Sequence, residues 1–577
     1  MFDHQFAPQL LHAAVGPQQN GDAGAVGEGQ SRQIHCQQGG QSGVDLPLQL
    51  QHDAPGGVVV QLTGNAGGES AVFLCADKTH KVPFLSVKVS SKESISPSTR
   101  RKHGEGHETM IYFWGEGVYH KKRSISRKED DTMAKKTDLT QGSILPQLAR
   151  LCIPLLAANL LQQLYNIINS LVVTYYLGQN AFAALGVAES IVNLFTYVIT
   201  GACMGASVLV AQFYGEGNMP RLRRQMFVSA LLIGGCVLTA VAAGQIFLHN
   251  ILGLIRTPEE LMGDAEAYLR VILVGMVFTF TYNYLASTLR AVGDTRTALY
   301  FLLISLGYNL LCAWLLVGVL GMGITGTAIS TTTAQILSSV LCYSYIRKYH
   351  RYLKVGKADM CMDMELAGKT VNFAAVAALQ QSSLYLGKLL IQGAVNGLGT
   401  ASITAFTAVT RVENFVQAFG ISGCEATAIF VAQNKGAGNL KRGLKGFLQG
   451  GVVQIVLGFG FTAFMLLKPE LLLAPFLTEG DESVIHGVDY LLHIGGFYFL
   501  SFIGNHLVGW FRGVGRMNVT FWGTTIQVTI RVILSYLLVG VMGLGAVGLA
   551  TGIGWIVIDC FHSTIFLRER KRDRLME

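Results

Sequence analysis

The sequence predicts an all-α polytopic membrane protein, with twelve transmembrane helices in two pseudo-symmetric six-helix lobes. Three observations lead to this fold class. Half of the 577 residues are hydrophobic and only 14% are charged, whereas soluble domains average about 25% charged residues. Apolar runs separated by short polar loops recur from about residue 147 onward. Three motifs also occur twice at nearly one spacing, which indicates an internal duplication.

The repeated motifs align the two halves of the chain. The pairs are VAQFYGEGN (210–218) with VAQNKGAGN (431–439), LRAVGDT (289–295) with FRGVGRM (511–517), and GMGITGTA (321–328) with GLGAVGLA (543–550). The spacings between the first residues of these pairs are 221, 222 and 222 residues. A duplicated and strongly apolar chain is typical of transporters built from two homologous halves.

Residues 1–132 differ from the rest of the chain, because they are rich in Gln, Gly, His and Ser and contain no long apolar run. This composition predicts a disordered cytosolic tail or a misannotated extension, and we favour the second. Met133 begins MAKKTDLTQGSILPQLARLCIP, a suitable start for a membrane protein. Codons for the preceding Lys128-Glu129-Asp130 can contain a bacterial ribosome-binding sequence. N-terminal sequencing of the native protein decides between these alternatives.

A membrane-spanning helix needs about 20 predominantly apolar residues, and twelve segments satisfy this requirement. They are 149–173, 183–210, 226–248, 267–289, 297–318, 323–346, 370–394, 402–431, 446–467, 487–510, 519–541 and 545–567. Six lie in an N-terminal lobe, residues 133–346, and six in a C-terminal lobe, residues 370–567. A basic linker, residues 347–369, joins the lobes, and a basic tail, residues 568–577, follows the second lobe.

Lys and Arg residues in the loops predict the orientation. If the N-terminus is cytosolic, the outside segments hold only Arg256, Arg270 and Lys468. Most other loop Lys and Arg residues fall in the inside segments, so the positive-inside rule predicts that both termini are cytoplasmic. We expect a multi-pass protein of the plasma (inner) membrane of a bacterium. The rule also accounts for the net charge of +8 without a nucleic-acid partner. Six spans per half make the duplication parallel, so that two similar bundles enclose a central cavity.

Longer segments carry a family resemblance. They are LLQQLYNIINSLVVTYYLG in the first span, VAQFYGEGN after the second, LRAVGDT after the fourth, LQQSSLYLGKLLIQGAVNGLG in the seventh, and TAVTRVENF with VAQNKGAGN around the eighth. In combination these segments resemble the multidrug and toxic compound extrusion (MATE) family over about residues 140–567. The resemblance implies twelve helices in two lobes. It also implies efflux of drug-like, often cationic, small molecules in exchange for Na⁺ or H⁺.

The chain departs from the family pattern at Asn169 in the first span. Many members carry there an aspartate that is linked to cation or proton coupling. Asparagine does not take up and release a proton near neutral pH. A coupling scheme that depends on this position therefore does not carry over to this chain.

The glycines of VAQFYGEGN and VAQNKGAGN superficially suggest a phosphate-binding loop. They lack the Lys-Ser/Thr ending and follow a helix rather than a strand, so we expect tight cytosolic turns. The sequence contains no ATP-binding motif, and we predict no enzymatic activity and no cofactor. We expect a monomer whose partners are small molecules and the lipid bilayer, with Na⁺ or H⁺ as the coupling ion.

Ionisable residues inside predicted spans usually face a cavity or a partner, because a charge in the bilayer costs a few kcal/mol. The ion-coupling candidates are Glu413, Glu425 and Glu189. Glu413 is the strongest, since it lies in RVENF of the eighth span; the alternative is an ion pair with Arg411 or Arg531. We expect Asp559, in the last span, to pair with Arg531.

Glu425 aligns with Met204 in the repeat, so that one lobe carries a carboxylate where the other is apolar. This asymmetry predicts either a cavity function or a structural partner for Lys388. Lys388 itself lies deep in the seventh span. It is either paired, or favours an anionic substrate, or takes the place of a bound cation.

Polar residues form a stripe along the first span. Asn159, Gln162, Gln163, Asn166 and Asn169 are spaced so that they share one helix face. Such a stripe faces protein or water rather than lipid.

The seventh span repeats part of this stripe. Gln380 and Gln381 are the counterparts of Gln162 and Gln163 in the other half. With Lys388 and Arg411, the residues of both stripes are the cavity-lining candidates. Polar contacts between helices are the alternative role.

Two other functions remain open at this point. Lys388, Arg411 and Arg531 would suit a lipid-linked saccharide flippase of the same superfamily, which needs a wider cationic cavity. A membrane receptor or scaffold without transport activity is the second alternative, although it gives no reason for the duplication. Drug accumulation and lipid-flipping assays separate the first alternative from drug efflux, and ion-dependent flux separates the second.

Overall fold

The computed structural model describes residues 138–477 and 480–576, together with six short strands nearer the N-terminus. Within the helices, side chains are described except at 165–167, 169–173, 179–180, 182–183 and 573–576. The chain forms two compact units, Met1–Arg127 and Lys128–Glu577.

The first unit contains two antiparallel three-stranded sheets, in the order β1-β2-β3 and β4-β5-β6. The strands are β1 Arg32–Ile34, β2 Leu46–Asp53, β3 Gly57–Leu62, β4 Val72–Cys75, β5 Ser86–Val89 and β6 Ile111–Tyr112. A tail or a misannotated extension before Met133 stays a prediction.

The second unit is helical throughout its described elements. The α-helices are α1 Ile144–Glu216, α2 Met219–Leu254, α3 Glu259–Ala291, α4 Thr295–Ala313, α5 Gly323–Tyr349, α6 Met364–Asn396, α7 Thr400–Gly436, α8 Leu440–Leu467, α9 Pro469–Leu473, α10 Glu482–Gly495, α11 Tyr498–Gly513, α12 Met517–Met542 and α13 Gly545–Met576. A π-helix, Trp314–Val319, extends α4, and two 3-10 turns, Arg351–Leu353 and Lys357–Asp359, lie between α5 and α6.

The helices follow the predicted spans in order. Helix α1 holds the first two spans in two arms, because Gly178 between them has φ 80° and ψ −172°. Helices α10 and α11 together form the tenth span, with a 55° bend between them. The predicted helical fold is therefore confirmed, and the predicted boundaries differ from the observed ones by several residues at many helix ends.

Hydropathy and helix order give different numbers of membrane crossings. In the described residues nine segments are long and apolar enough to cross a membrane, and α10 with α11 makes ten. Helices α5 and α6, the sixth and seventh predicted spans, are more polar, because α5 is rich in Ser and Thr and α6 carries Gln380, Gln381 and Lys388. Twelve crossings therefore stay a prediction.

The two repeated glycine motifs end helices α1 and α7 in the same way. Gly217 (φ 74°) and Gly438 (φ 71°) adopt the left-handed conformation that glycine permits. The next residue, Asn218 or Asn439, caps the following helix. Its side-chain oxygen accepts a hydrogen bond at 3.1 Å from the backbone N–H of Arg221 or Arg442, respectively. These segments are tight turns, as the sequence predicts.

Each lobe has its own hydrophobic core. One buried cluster lies almost entirely within residues 184–328 and another within residues 391–547. The lobes meet mainly where α1 packs against α6 and α7. We call the end of this bundle that holds the turns at 217–218, 292–294, 437–439 and 514–516 the basic end, since its turns and adjoining helix ends carry many Arg and Lys residues.

The lobes approach each other closely at the basic end, through paired equivalent contacts. Gln212 Nε2 donates to the Gly513 carbonyl at 3.2 Å, and its counterpart Gln433 donates to the Ala291 carbonyl at 2.7 Å. A Cβ added at Gly215 would overlap the Gln433 carbonyl, and one added at Gly436 would overlap the Gln212 carbonyl. Only glycine therefore permits these two backbones to cross so closely.

Candidate functional site

A cavity of about 810 Å³ lies between the two lobes. Helices of both lobes line it, so that the duplication itself creates the site. Its wall mixes apolar side chains with amides, hydroxyls and a few charges, which is typical of small-molecule sites. The charged residues of the wall are Arg290, Lys388, Glu413, Glu425, Arg512 and Arg531.

The polar stripes face this cavity where they are described. The wall includes Asn159, Gln162, Gln163, Gln380 and Gln381. Asn159 also joins the lobes, because its Nδ2 donates to Ser422 Oγ at 3.0 Å.

The remaining two members of the first-span stripe cannot be placed in this way. The side chains of Asn166 and Asn169 lie outside the described residues. Their assignment to the cavity stays a prediction.

Glu413 lies in the cavity wall on α7. The cations whose charge acts on it are Arg531 and Lys388, which also line the cavity. The described residues give it no direct ion pair, neither with Arg411 nor with Arg531. A carboxylate in this position is under the influence of two positive charges and borders the cavity.

Glu425 pairs across the lobe interface rather than with Lys388. Its Oε2 lies 3.7 Å from Arg290 Nη1, and both side chains are about one quarter exposed. Of the two alternatives for Glu425, a structural pair is present, but its partner in the described structure is Arg290 instead of Lys388. A function of Glu425 in the cavity stays a prediction. Because Arg290 belongs to the N-terminal lobe and Glu425 to the C-terminal lobe, this ion pair connects the two lobes at the cavity wall.

Glu189 and Arg411 stand apart from this wall in the described structure. Neither belongs to the lining residues, and the Arg411 side chain is exposed. Its neighbour Thr410 does line the cavity. Successive side chains of an α-helix differ in direction by about 100°, so Arg411 does not share the direction of Thr410. The charge of Arg411 acts on Glu189, which lies on the second arm of α1.

Asp559 does not form the expected pair with Arg531. Both carboxylate oxygens of Asp559 are buried without a hydrogen-bond partner among the described residues, and Arg531 Nε is likewise unpartnered. Gly504 gives Asp559 room, because an added Cβ there would lie 2.6 Å from Asp559 Oδ1. Arg531 lines the cavity instead.

Sequence reasoning missed two arginines of the site. Arg290 and Arg512 fall just beyond the predicted spans 267–289 and 487–510, but both lie on the last turns of α3 and α11 and line the cavity. The repeat held the signal, since both occupy the second position of LRAVGDT or FRGVGRM.

An amide network forms a further part of the wall that sequence reasoning did not find. Gln417 Nε2 donates to Ser501 Oγ at 2.6 Å, and Asn505 Nδ2 donates to Gln417 Oε1 at 3.2 Å. All three residues line the cavity. The network fixes the side chains between α7 and α11, and no periodic pattern in the sequence marks it.

Comparisons with known proteins match both lobes. The MatE family model matches residues 154–315 and 377–537, one segment in each lobe. "Probable multidrug resistance protein YpnP" of Bacillus subtilis (strain 168) is 28% identical over 74% of this chain and 95% of its own length. "Probable multidrug resistance protein NorM" of Thermotoga maritima is 26% identical over 74% of this chain and 91% of its own length.

The fold also matches solved structures. A structure described as the outward-facing conformation of a multidrug resistance MATE family transporter of the MOP superfamily aligns with a TM-score of 0.70. The alignment covers 77% of this chain and 99% of that one, at 21% sequence identity. At this level of identity the match supports the arrangement of helices.

Proposed function

The chain belongs to the MatE family of multidrug efflux transporters, and from this premise we propose that it is an ion-coupled antiporter which exports drug-like small molecules, often cationic, by alternating access. The observation that carries the proposal is the cavity between the lobes with Glu413 in its wall. A secondary transporter needs one site that two lobes expose alternately to each side. The interlobe cavity has this placement.

Glu413 is the coupling residue in this proposal. Intramembrane acids are costly unless they have a functional or structural partner, and the described residues give Glu413 no direct ion pair. Its carboxylate can bind Na⁺ or take up a proton inside the cavity. Lys388 and Arg531 act on the same carboxylate, so that they compete with a bound cation and favour its release.

The contacts at the basic end set the conformation. The close crossing of Gly215 and Gly436 with the opposite lobe, and the Arg290–Glu425 pair, hold the lobes together there. We propose that the cavity is closed toward the cytosol in this conformation, with the basic end cytosolic as the positive-inside rule predicts. Transport then requires these contacts to separate while the lobes approach at the opposite end.

Glu413→Gln tests the coupling role. The variant removes the charge and keeps the shape, so we expect loss of drug efflux with normal expression. Glu189→Gln is the matched control, because Glu189 is an acid of the same lobe interface that does not line the cavity. Flux of a fluorescent cationic dye is measured in proteoliposomes under a pH gradient and, separately, a Na⁺ gradient. Wild-type flux in Glu413→Gln, with or without loss in Glu189→Gln, removes Glu413 from the mechanism.

The same assay separates drug efflux from the other functions. Flux of dye under either gradient supports antiport and identifies the coupling ion. Absence of flux under both gradients, with the protein correctly inserted, contradicts the proposed function. Lys388 and Arg531 are cations in the cavity wall, which would also suit a lipid-linked saccharide flippase. Measuring the flipping of such a lipid in the same vesicles tests this alternative.

A further inference from the structure

Equivalent arginines of the two lobes have different partners. Arg290 and Arg512 occupy the same position of the repeated motif, at a spacing of 222 residues. Arg290 reaches Glu425 of the opposite lobe at 3.7 Å. Arg512 reaches Met204 of the opposite lobe, with Nη1 at 3.0 Å from Sδ. Met204 is the repeat counterpart of Glu425, at a spacing of 221 residues. The arginine–glutamate pair therefore forms between Arg290 and Glu425, whereas the equivalent positions Arg512 and Met204 form no ion pair.

The missing carboxylate leaves Arg512 poorly paired. Its side chain is only 8% exposed. Nη2 donates to Gln380 Oε1 at 3.2 Å, and Nη1 donates to the sulfurs of Met204 and, at 3.7 Å, Cys424. Nε has no partner in the described structure. Thioether and thiol sulfurs are weak acceptors, so a single amide oxygen is the one strong acceptor for five N–H donors.

The surroundings of Arg512 hold it in place rather than neutralise it. Gln380 is fixed by its Nε2, which donates to Thr524 Oγ1 at 2.9 Å. Thr520 Oγ1 donates to Gln380 Oε1 at 3.3 Å, and it thus shares the acceptor that Arg512 uses. A buried guanidinium without a carboxylate is costly. Because Arg512 and Gln380 both line the cavity, a ligand in the cavity can supply the missing acceptor.

We propose that Arg512 is a subsite for a carboxylate group of the transported molecule. Arginine binds carboxylates through two parallel N–H···O bonds, and its planar donor geometry suits this group. The inference rests on the proposed function and narrows its substrate class to zwitterions that join a cationic group to a carboxylate. Glu413 and Arg512 line one cavity, so that the two ends of such a molecule find opposite charges in the same site.

Variants at Met204 test the subsite without removing the arginine. Met204→Glu restores the pair that Glu425 makes in the other half, and its carboxylate should occupy Arg512. Met204→Leu is the matched control of similar size, with neither a charge nor a strong acceptor. Arg512→Gln removes the subsite itself, and all variants are made in the full chain. Size-exclusion profiles in detergent establish which variants fold.

Binding of two related dyes is the readout. The probes are a rhodamine with a free carboxylic acid and its methyl ester, which differ only in the carboxylate. Fluorescence anisotropy of the purified protein gives both affinities without any ion gradient. We expect the ratio of acid to ester affinity to fall at least about tenfold in Met204→Glu and in Arg512→Gln, since a hydrogen bond to a charged group contributes about that factor. Met204→Leu should keep the wild-type ratio.

The outcomes separate this inference from the proposed function. An unchanged ratio in Met204→Glu contradicts the subsite, and so does equal loss of both dyes, which indicates a structural role for the arginine. If Arg512→Gln does not fold, the Met204 series alone decides. A changed ratio without gradient-driven flux supports the subsite and contradicts antiport. Gradient-driven flux of the ester with an unchanged ratio supports antiport and contradicts the subsite.

Discussion

At the scale of single residues, a buried polar cluster ties the linker to the N-terminal lobe. Asp294, in the turn before α4, receives hydrogen bonds from Thr297 N at 3.2 Å and Tyr345 Oη at 3.1 Å. His350, only 1% exposed, lies between Asp294 and Tyr352: its Nε2 is 3.2 Å from Asp294 Oδ2 and its Nδ1 is 2.8 Å from the Tyr352 hydroxyl.

This cluster predicts a dependence of stability on acidic pH. Burial opposes the Asp294 charge, but the hydrogen bonds from His350 and Thr297 outweigh it and lower the pKa of Asp294. A lowered folded-state pKa contributes stability that is present above the ordinary aspartate pKa of about 3.9. This stability is lost as the pH falls through the lowered value.

We therefore expect the melting temperature of Asp294→Asn to depend less on pH in the acidic range than that of the wild type. The wild-type melting temperature should fall more steeply below about pH 4 than that of Asp294→Asn, because the variant has no proton to take up at this position. Thermal unfolding followed by intrinsic fluorescence at a series of pH values measures both curves. Parallel curves would show that the Asp294 charge does not stabilise the fold.

Placement from the sequence agrees with the structure for two side chains in the middle of a span, whose roles stay predictions. Glu413 and Gln162 were found from the family motif and from helical periodicity, and the structure places both at the cavity. Placement from the sequence failed for Arg290 and Arg512. Counting apolar residues ends a predicted span at the first charge, so an arginine on the last helical turn is assigned to the loop even when it points inward.

At the scale of elements, the crossing of α1 and α7 at the basic end depends on glycine. Gly215 and Gly436 each face a backbone carbonyl of the opposite helix at a distance that excludes a Cβ. Sequence reasoning recognised the turns of these motifs but not the crossing. The repeat spacing showed that the glycines are equivalent, while only the packing of the helices shows that each one faces the other lobe.

Gly215→Ala and Gly436→Ala should each disfavour the conformation in which the basic end is closed. Overpacking typically costs 1–3 kcal/mol, and 1.4 kcal/mol changes an equilibrium about tenfold. We expect dye efflux to fall about tenfold or more. Gly460→Ala in α8 is the control, because an added Cβ there meets no atom within 4 Å. Full efflux in both variants would mean that this contact does not govern the transport cycle.

At the scale of the whole molecule, the linker belongs to the N-terminal lobe. Arg223 Nε donates to Asp359 Oδ2 at 2.9 Å, and the same oxygen accepts the Gly356 N–H at 2.9 Å. Beyond this point Cys361 and Met362 are exposed. The sequence predicts a separate linker, residues 347–369, between the lobes, whereas the contacts of Asp359 and His350 attach most of that segment to the N-terminal lobe.

A cut between Cys361 and Met362 should therefore leave two halves that assemble. The cut turns contacts within one chain into an association of two chains, which costs translational and rotational freedom. The extensive packing of α1 against α6 and α7 offsets this cost. Co-expressed halves should co-purify through a tag on one of them and retain dye efflux. A cut between Ser422 and Gly423, inside α7, is the control and should abolish assembly. Well-expressed halves that fail to co-purify would show that the covalent connection is needed to join the lobes.

The reciprocal contacts between Gly215 and Gln433 and between Gly436 and Gln212 have the geometry of an isologous dimer, in which surface i meets j and j meets i. In a homodimer of half-length chains, one mutation would alter both positions at once. Fusion into a single polypeptide releases the copies from that constraint. The equivalent positions Met204 and Glu425 differ, whereas the paired glycines are the same in both halves. The two-fold framework of the duplication therefore carries a cavity wall with a carboxylate at only one of these two positions.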